Sequence, residues 1–181
     1  MRTHTKRCLL YLILFVILTV IDRLTKNWAV IRLLDNEAIP LIPGVLELFY
    51  LPNGNTGAAF GILSGHRVLF LVIAFIVVAA IIYLLWNMPD DKKYGPVATL
   101  LVFIAAGGAG NMIDRFFNGY VVDFIYISAI NFPIFNVADM YVSVCTVILA
   151  LIVLFKLKED DYNTLETAFS RPLSRLFSKK K

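Results

Sequence analysis

Charged residues are scarce in this chain. Only 17% of its 181 residues are Asp, Glu, Lys or Arg, while 59% are hydrophobic, whereas soluble domains usually carry about 25% charged residues. The apolar residues also occur in long blocks and not in an amphipathic rhythm. This composition excludes an ordinary soluble domain and predicts an integral membrane protein.

Residues that bind metals are equally scarce, with two histidines and two cysteines in the whole chain. Cys8 and Cys145 lie within apolar blocks, where a free cysteine behaves as a small hydrophobic residue. His4 and His66 fall on opposite sides of the membrane in the topology derived below. We therefore expect no disulfide, no zinc site or other bound metal, and no cofactor.

Four apolar blocks are long enough to cross roughly 30 Å of hydrocarbon as helices. They cover residues 8–31, 68–86, 97–113 and 137–155, and the first continues through a charged stretch. The basic start followed by an apolar block is also the layout of a secretory signal peptide, but no small-x-small cleavage site follows. We predict an uncleaved first helix and an all-α membrane protein built on a four-transmembrane-helix bundle.

Lysine and arginine are concentrated on one side of these spans. Residues 1–7, 87–96 and 156–181 together hold 12 of the 17. The positive-inside rule then places both termini in the cytoplasm and residues 33–67 and 116–136 outside. The net charge of +4 reflects this topology and anionic lipid, so we expect membrane lipids as partners and no nucleic acid.

The two outer segments carry strand signals. Residues 45–51 predict a strand, 52–54 a turn and 55–60 a partner strand, and residues 120–127 are rich in β-formers around Asp123. We expect a small extracytoplasmic β-sheet, or cradle, on the membrane surface.

The chain divides into two parts by composition. Residues 1–158 are interpreted as a single integral membrane domain. Residues 159–181 are charged and polar, and we interpret them as a frayed, basic cytoplasmic tail that touches anionic lipid.

Ionisable groups at membrane depth cost about 3 kcal/mol each on insertion scales, so each one requires an explanation. Asp22, Thr25 and Lys26 share one face of the first helix, and Asp before Lys at this spacing favours an ion pair. A structural bridge and a catalytic lysine are both open interpretations.

The third span ends in a glycine-rich, polar stretch. Gly107 and Gly110 allow a neighbouring helix to approach closely. Asn111, Asp114 and Arg115 then project a polar face from the same end. Helix packing with a structural ion pair is one explanation, and the frame of a functional site is the other.

Asp123 and Asp139 bracket a short connection that contains a proline. Asp123 interrupts an apolar, strand-like stretch, whereas Asp139 can also act as the capping acid of the last span, three residues after Asn136. Two carboxyl groups in contact share one proton. One can then activate water while the protonated partner polarises a scissile carbonyl. This pattern predicts an aspartic peptidase, provided that the two side chains meet.

Five motifs occur in order along the chain, all at the predicted outer ends of spans or between them. They are residues 22–26 (DRLTK), 55–60 (NTGAAF), 108–115 (GAGNMIDR), 121–124 (VVDF) and 135–139 (FNVAD). Together they resemble the motifs of the lipoprotein signal peptidase family, also called signal peptidase II. The resemblance runs from about residue 7 to about residue 155 and does not cover the tail.

The resemblance implies an intramembrane aspartic endopeptidase of the bacterial inner membrane, with its active site at the extracytoplasmic face. It implies removal of signal peptides from diacylglyceryl-modified prolipoproteins by cleavage before the lipidated cysteine, and we expect a monomer. Asp123 and Asp139 match the catalytic pair. The substrate-binding or supporting residues are Asn55, Gly108, Asn111, Arg115, Asn136 and Ala138, and the structural polar frame is Asp22, Lys26 and Asp114.

Three other classes of protein remain as alternatives. A small proton-coupled transporter should place its acids near the bilayer midplane, whereas here they crowd one face. A non-catalytic assembly protein would use the glycine face for helix packing. A serine–lysine peptidase would need a serine beside Lys26 in space.

Overall fold

The computed structural model describes the backbone of residues 2–51, 54–57 and 66–178, and the side chains of residues 4–51, 54–57 and 66–170. Within these ranges the helices are α1 (Arg2–Leu33), α2 (Arg67–Asn87), α3 (Gly95–Phe117), α4 (Val137–Phe155) and α5 (Glu159–Ser178). The strands are β1 (Ile39–Ile42), β2 (Leu46–Leu48) and β3 (Ile125–Tyr126). In the part of the chain that is described, α1 to α4 are long and apolar enough to cross a membrane. The four predicted spans are confirmed.

α3 is the central helix of the bundle and contacts α1, α2 and α4. Many of its buried residues are small, among them Ala105, Ala106, Ala109 and Gly110. Small side chains let helix backbones approach closely, which is how membrane bundles gain van der Waals contact without a hydrophobic driving force. α2 buries Ile81 and exposes most of its other apolar side chains, as a lipid-facing helix does.

The strands form one antiparallel sheet in the order β1-β2-β3. Ile39 lies opposite Leu48, and Leu48 lies opposite Ile125 on its other side. The turn between β1 and β2 passes through Gly44 at φ +71, a left-handed conformation that glycine adopts without steric cost. The sheet lies at the end of the bundle where α1 ends and α4 begins, which we call the sheet end.

The predicted partner strand at residues 55–60 is wrong for residues 55–57, which are the part of it that the structure describes. Asn55 forms an isolated bridge with Val121, and residues 52–53 and 58–60 lie outside the described part of the chain. β2 pairs with β1 and β3 instead. β1 has no clear sequence signal because it contains Pro40 and is followed by Pro43, but an edge strand tolerates proline since one of its sides makes no ladder hydrogen bonds.

The predicted frayed tail is also wrong, because residues 159–178 form α5. The helix packs against the opposite end of the bundle through Leu165 and Phe169. Lys93 Nζ lies 2.6 Å from Asp161 Oδ1, and Tyr83 OH donates to the Phe169 carbonyl at 2.5 Å. The three acids in the first turn of α5 also suit the positive end of a helix dipole.

Candidate active site

Asp123 lies in the connection between α3 and α4, just before β3. Its backbone is fixed beside the sheet, since Leu51 N donates to the Asp123 carbonyl at 3.1 Å. Its side chain is 1% exposed. Asn136 Nδ2 donates to Asp123 Oδ1 at 2.6 Å, and Asn55 Nδ2 donates to Oδ2 at 2.9 Å. Both carboxyl oxygens are therefore held by amide groups.

Asp139 lies in the first turn of α4, where it belongs to a capping box. Asn136 Oδ1 accepts from Asp139 N at 3.0 Å, and Asp139 Oδ2 accepts from Asn136 N at 3.1 Å. Asn111 Nδ2 donates to the other oxygen, Oδ1, at 2.7 Å. The predicted capping role of Asn136 and Asp139 is thus confirmed, and it fixes the Asp139 carboxyl group toward α3.

Asn136 connects the two aspartates. Its amide donates both to Asp123 Oδ1 and, at 3.1 Å, to Asn111 Oδ1, while its backbone N and its Oδ1 engage Asp139. The side chain is 0% exposed. Asp123, Asp139, Asn55, Asn111 and Asn136 therefore form one hydrogen-bonded set, which we call the dyad cluster.

Behind the dyad cluster lies Lys26, which is 1% exposed. Its ammonium group is 2.9 Å from Asp22 Oδ2 and 2.9 Å from Asp114 Oδ2, and it donates to Asn111 Oδ1 at 2.8 Å. An ammonium group has three N–H donors, and three acceptor oxygens lie within 2.9 Å of this one. Among the described residues, the Lys26 ammonium group therefore contacts two carboxylates and an amide oxygen, and no serine.

Asp114 has a second cationic partner, Arg23, whose Nη1 contacts Asp114 Oδ1. Asp114 Oδ2 also accepts from Val122 N at 3.3 Å, which ties the end of α3 to the residue before Asp123. Asp22, Arg23, Lys26 and Asp114 form what we call the polar frame. Sequence reasoning missed Arg23, although Asp22 and Asp114 together require a second cation for balance.

Asp22 attaches α1 to the start of α4. Its Oδ1 accepts from Ala138 N at 3.1 Å, so a side chain from α1 satisfies one of the free first-turn amides of α4. Ala138 is 0% exposed and packs against α3, where a Cβ added to Gly107 would lie 2.5 Å from the Ala138 carbonyl oxygen. Ala138 thus supports the site through packing.

Arg115 extends from the end of α3 beside the dyad cluster. Its Nη2 donates to the Gly57 carbonyl at 2.8 Å, and its guanidinium carbon lies 4.8 Å from the centre of the Phe70 ring. Gly57 N in turn donates to Asn55 Oδ1 at 2.9 Å. Arg115 therefore holds the segment that supplies Asn55 to Asp123.

Gly108, another predicted site residue, lies on α3 one turn before Asn111. A Cβ at this position would meet Val78 Cγ2 of α2 at 3.4 Å. Gly108 therefore lies where α3 packs against α2. Its role in binding substrate stays a prediction.

The charges of this region balance when one carboxyl group is protonated. The polar frame contains two acids and two bases and is neutral. Outside the polar frame, Arg115 is a described base whose charge interacts with both Asp123 and Asp139. Burial first, and then the negative charge of Asp139, raise the pKa of Asp123 to about 6, although the hydrogen bonds from Asn55 and Asn136 lower it. A proton on Asp123 would bring the net charge of these described side chains to zero.

The geometry of this region can also be compared with that of a metal site. Among the described residues, no three His, Cys, Asp or Glu side chains are placed to hold a metal ion. What the region offers is a buried and a half-buried carboxyl group, held by amide donors and by a guanidinium-anchored segment. Paired carboxyl groups in such different environments are the typical arrangement of an acid and a base.

The fold and the site define a multi-pass membrane protein with a two-carboxylate site at one end of its helix bundle. Comparison with known proteins narrows this class. The family model of signal peptidase (SPase) II matches residues 14–155. The chain belongs to the signal peptidase II family, a family of peptidases, and α5 lies beyond the matched region.

Individual relatives agree with this assignment. Lipoprotein signal peptidases of Streptococcus pyogenes serotype M1 and serotype M5 (strain Manfredo) are 41% and 40% identical to this chain over 153 residues, which are 84% of this chain and 96% of each relative. A bacterial membrane enzyme solved by the in meso method at 1.9 Å is similar with a TM-score of 0.69 and 31% identity, over 82% of this chain and 94% of that one.

Proposed function

We propose that this protein is an intramembrane aspartic endopeptidase that removes signal peptides from diacylglyceryl-modified bacterial prolipoproteins, cleaving before the lipidated cysteine. The observation that carries the proposal is the dyad cluster, in which Asn136 binds both Asp123 and Asp139. The relatives named lipoprotein signal peptidase support the substrate class.

In the proposed reaction the two carboxyl groups act together on one water molecule. The ionised group accepts a proton from the water as its oxygen attacks the scissile carbonyl, and the protonated group donates to the carbonyl oxygen. The resulting tetrahedral species then breaks at its C–N bond, and the leaving amine takes up a proton from the dyad. Neither a metal nor a cofactor enters these steps.

We propose that the sheet end faces the extracytoplasmic side of the bacterial cell membrane. The distribution of lysine and arginine supports this orientation. A diacylglyceryl group would anchor the substrate's cysteine at the interface, the depth at which the ends of α1, α3 and α4 carry their polar residues. The signal peptide would lie extended against the sheet, and the acyl chains of the modified cysteine would lie between apolar helices. The enzyme would act as a monomer, with residues 1–158 as its membrane domain and α5 in the cytoplasm.

The test is cleavage by the purified protein reconstituted in lipid vesicles. A diacylglyceryl-modified prolipoprotein is compared with the same chain carrying serine in place of the modified cysteine, and products are mapped by mass spectrometry. We expect one cut, directly before the modified cysteine, in the first substrate. Cleavage of both substrates, or at another bond, would contradict the proposed specificity.

The transporter alternative makes a different prediction for the same vesicles. Proton or cation flux without any cleavage would favour a carrier in which the acids relay ions. The placement of Asp123 and Asp139 at the end of the bundle, and not along a path through it, is the reason we expect no flux.

A further inference from the structure

Asn111 occupies the junction between the polar frame and the dyad cluster. Its Oδ1 accepts from Lys26 Nζ at 2.8 Å and from Asn136 Nδ2 at 3.1 Å. Its Nδ2 donates to Asp139 Oδ1 at 2.7 Å. It is thus the side chain through which the buried ion pairs of α1 and α3 reach an aspartate of the dyad.

Lys26, together with Asn136, fixes which way the Asn111 amide points. The two ends of an asparagine amide have the same shape, and its hydrogen-bond partners decide its orientation. A flipped amide would set its NH₂ group against the Lys26 ammonium group, which has no acceptor, and its oxygen against Asp139. With Lys26 present, the donor end of Asn111 must therefore face Asp139.

The environments of the two aspartates differ in burial and in hydrogen-bond partners. Asp123 is 1% exposed, so ionisation there carries the larger desolvation cost. Asp139 is half-buried and accepts from an amide whose oxygen is bound by a cation. A hydrogen bond donated to the charged form of a carboxyl group favours that form, and chains of hydrogen bonds polarise one another.

We propose that Lys26, acting through Asn111, is a positioning residue that keeps Asp139 ionised, so that Asp139 activates the water and Asp123 carries the shared proton. The inference rests on the proposed aspartic mechanism. Lys26 is a positioning and not a catalytic residue here, since it is 1% exposed and its ammonium group lies among Asp22, Asp114 and Asn111.

A purely structural role for Lys26 is the competing explanation, because removing one partner of a buried ion pair leaves an uncompensated charge. The test therefore uses variants in which the frame stays neutral. Lys26→Met with Asp22→Asn removes one cation and one anion together. Arg23 still balances Asp114, and an asparagine oxygen at position 22 can still accept from Ala138 N.

The matched control is Lys26→Gln with Asp22→Asn. Glutamine is uncharged, like methionine, but has N–H donors that can bind Asn111, whereas methionine has none. A role in stability alone predicts the same kinetics for both double variants. A role in orienting Asn111 predicts that glutamine restores part of the activity.

The measurements are kcat, KM, the pH dependence of kcat and the melting temperature, with the diacylglyceryl-modified prolipoprotein as substrate. For the methionine double variant we expect kcat to fall about tenfold to a hundredfold, with KM unchanged. We also expect the acid limb of its kcat profile to move to higher pH, because the amide that donates to Asp139 has lost its cationic partner. The glutamine double variant should lie between it and the parental enzyme.

An additional variant tests the route through Asn111. In an Asn111→Ala background, the methionine substitution pair should lower kcat no further, because the residue through which Lys26 acts is already gone. Equal kcat for the methionine and glutamine double variants, multiplicative loss in the Asn111→Ala background, or failure of both double variants to fold would overturn the proposal. Failure of the proposed function is distinct, since Asp123→Asn and Asp139→Asn would then cleave like the parental enzyme.

Discussion

Among single residues, Asp123 has the environment that most affects the chemistry of the site. It is almost fully buried, it binds two amide donors, and its pKa is raised to about 6 by burial and by Asp139. An acid with a raised pKa is protonated more readily in the folded than in the unfolded protein. Its contribution to stability is therefore present at low pH and is lost as the pH rises.

The direction of this pKa shift gives a prediction for stability. Between the ordinary value of 3.8 and about 6, the melting temperature of the parental protein should fall as the pH increases. Asp123→Asn should show a smaller fall, because an amide does not titrate. Thermal melts in detergent across this pH range, with Asp161→Asn at the opposite end of the bundle as a comparison variant, measure the difference. Identical pH slopes for the parental protein and Asp123→Asn would contradict the environment described for this carboxyl group.

Single residues also show what a sequence can and cannot predict. Acids and bases within apolar blocks are visible in the sequence because burial makes each of them costly. The pairing among them is not visible, since it depends on how three helices meet. The salt bridge between Arg23 and Asp114 was therefore missed.

Among the elements, α3 and α4 decide whether the site assembles. α4 begins with a capping box that includes Asp139, and Asp22 from α1 binds the next free amide of the same turn. Gly110 of α3 lets Asp22 reach that position, because a Cβ there would lie 2.3 Å from Asp22 Oδ2. Close helix approach and site geometry thus depend on one small residue.

Substitutions at Gly110 and Gly108 should separate effects on the site from effects on ordinary helix packing. Gly110→Ala should lower stability by about 1–3 kcal/mol and lower cleavage, since Asp22 is held by Lys26 and Ala138 and cannot move aside freely. Gly108→Ala is the matched control, with ordinary contact to Val78 at 3.4 Å, and should be neutral or slightly stabilising because alanine is the better helix former. Melting temperature and cleavage rate are measured for both. Equal effects at the two positions would contradict the packing described here.

The elements of the sheet were harder to predict than the helices. Long apolar blocks identify membrane helices because the bilayer fixes their length. Strands of two to four residues carry little periodic signal, and the prolines within and directly after β1 are typical of a loop. The strand register depends on contacts with residues 121–126, which are far away in the sequence.

For the whole molecule, the two ends of the bundle have different roles. The sheet end carries the dyad cluster and the polar frame. The opposite end carries α5, which lies beyond the region matched by the signal peptidase II family and is bound through Tyr83, Lys93 and Tyr94. Sequence composition predicted the boundary of this segment but not its order, because its helix depends on packing against α2 and α3.

Removal of α5 tests whether the ends are independent. A chain that stops after Lys158 should melt at a lower temperature, since Leu165 and Phe169 no longer cover the apolar cluster. Its cleavage rate per folded molecule should equal that of the full chain. Loss of cleavage in a truncated protein that remains folded would show that α5 influences the sheet end.

The central claim is that Asp123 and Asp139 act as one catalytic pair, and the most direct measurement is single-turnover cleavage of the diacylglyceryl-modified prolipoprotein by Asp123→Asn and Asp139→Asn. Asp161→Asn, a carboxyl-to-amide change at the opposite end of the bundle, is the matched control. Both dyad variants should fold, bind substrate and fail to cleave, while the control cleaves at the parental rate. Cleavage at the parental rate by either folded dyad variant would contradict the account.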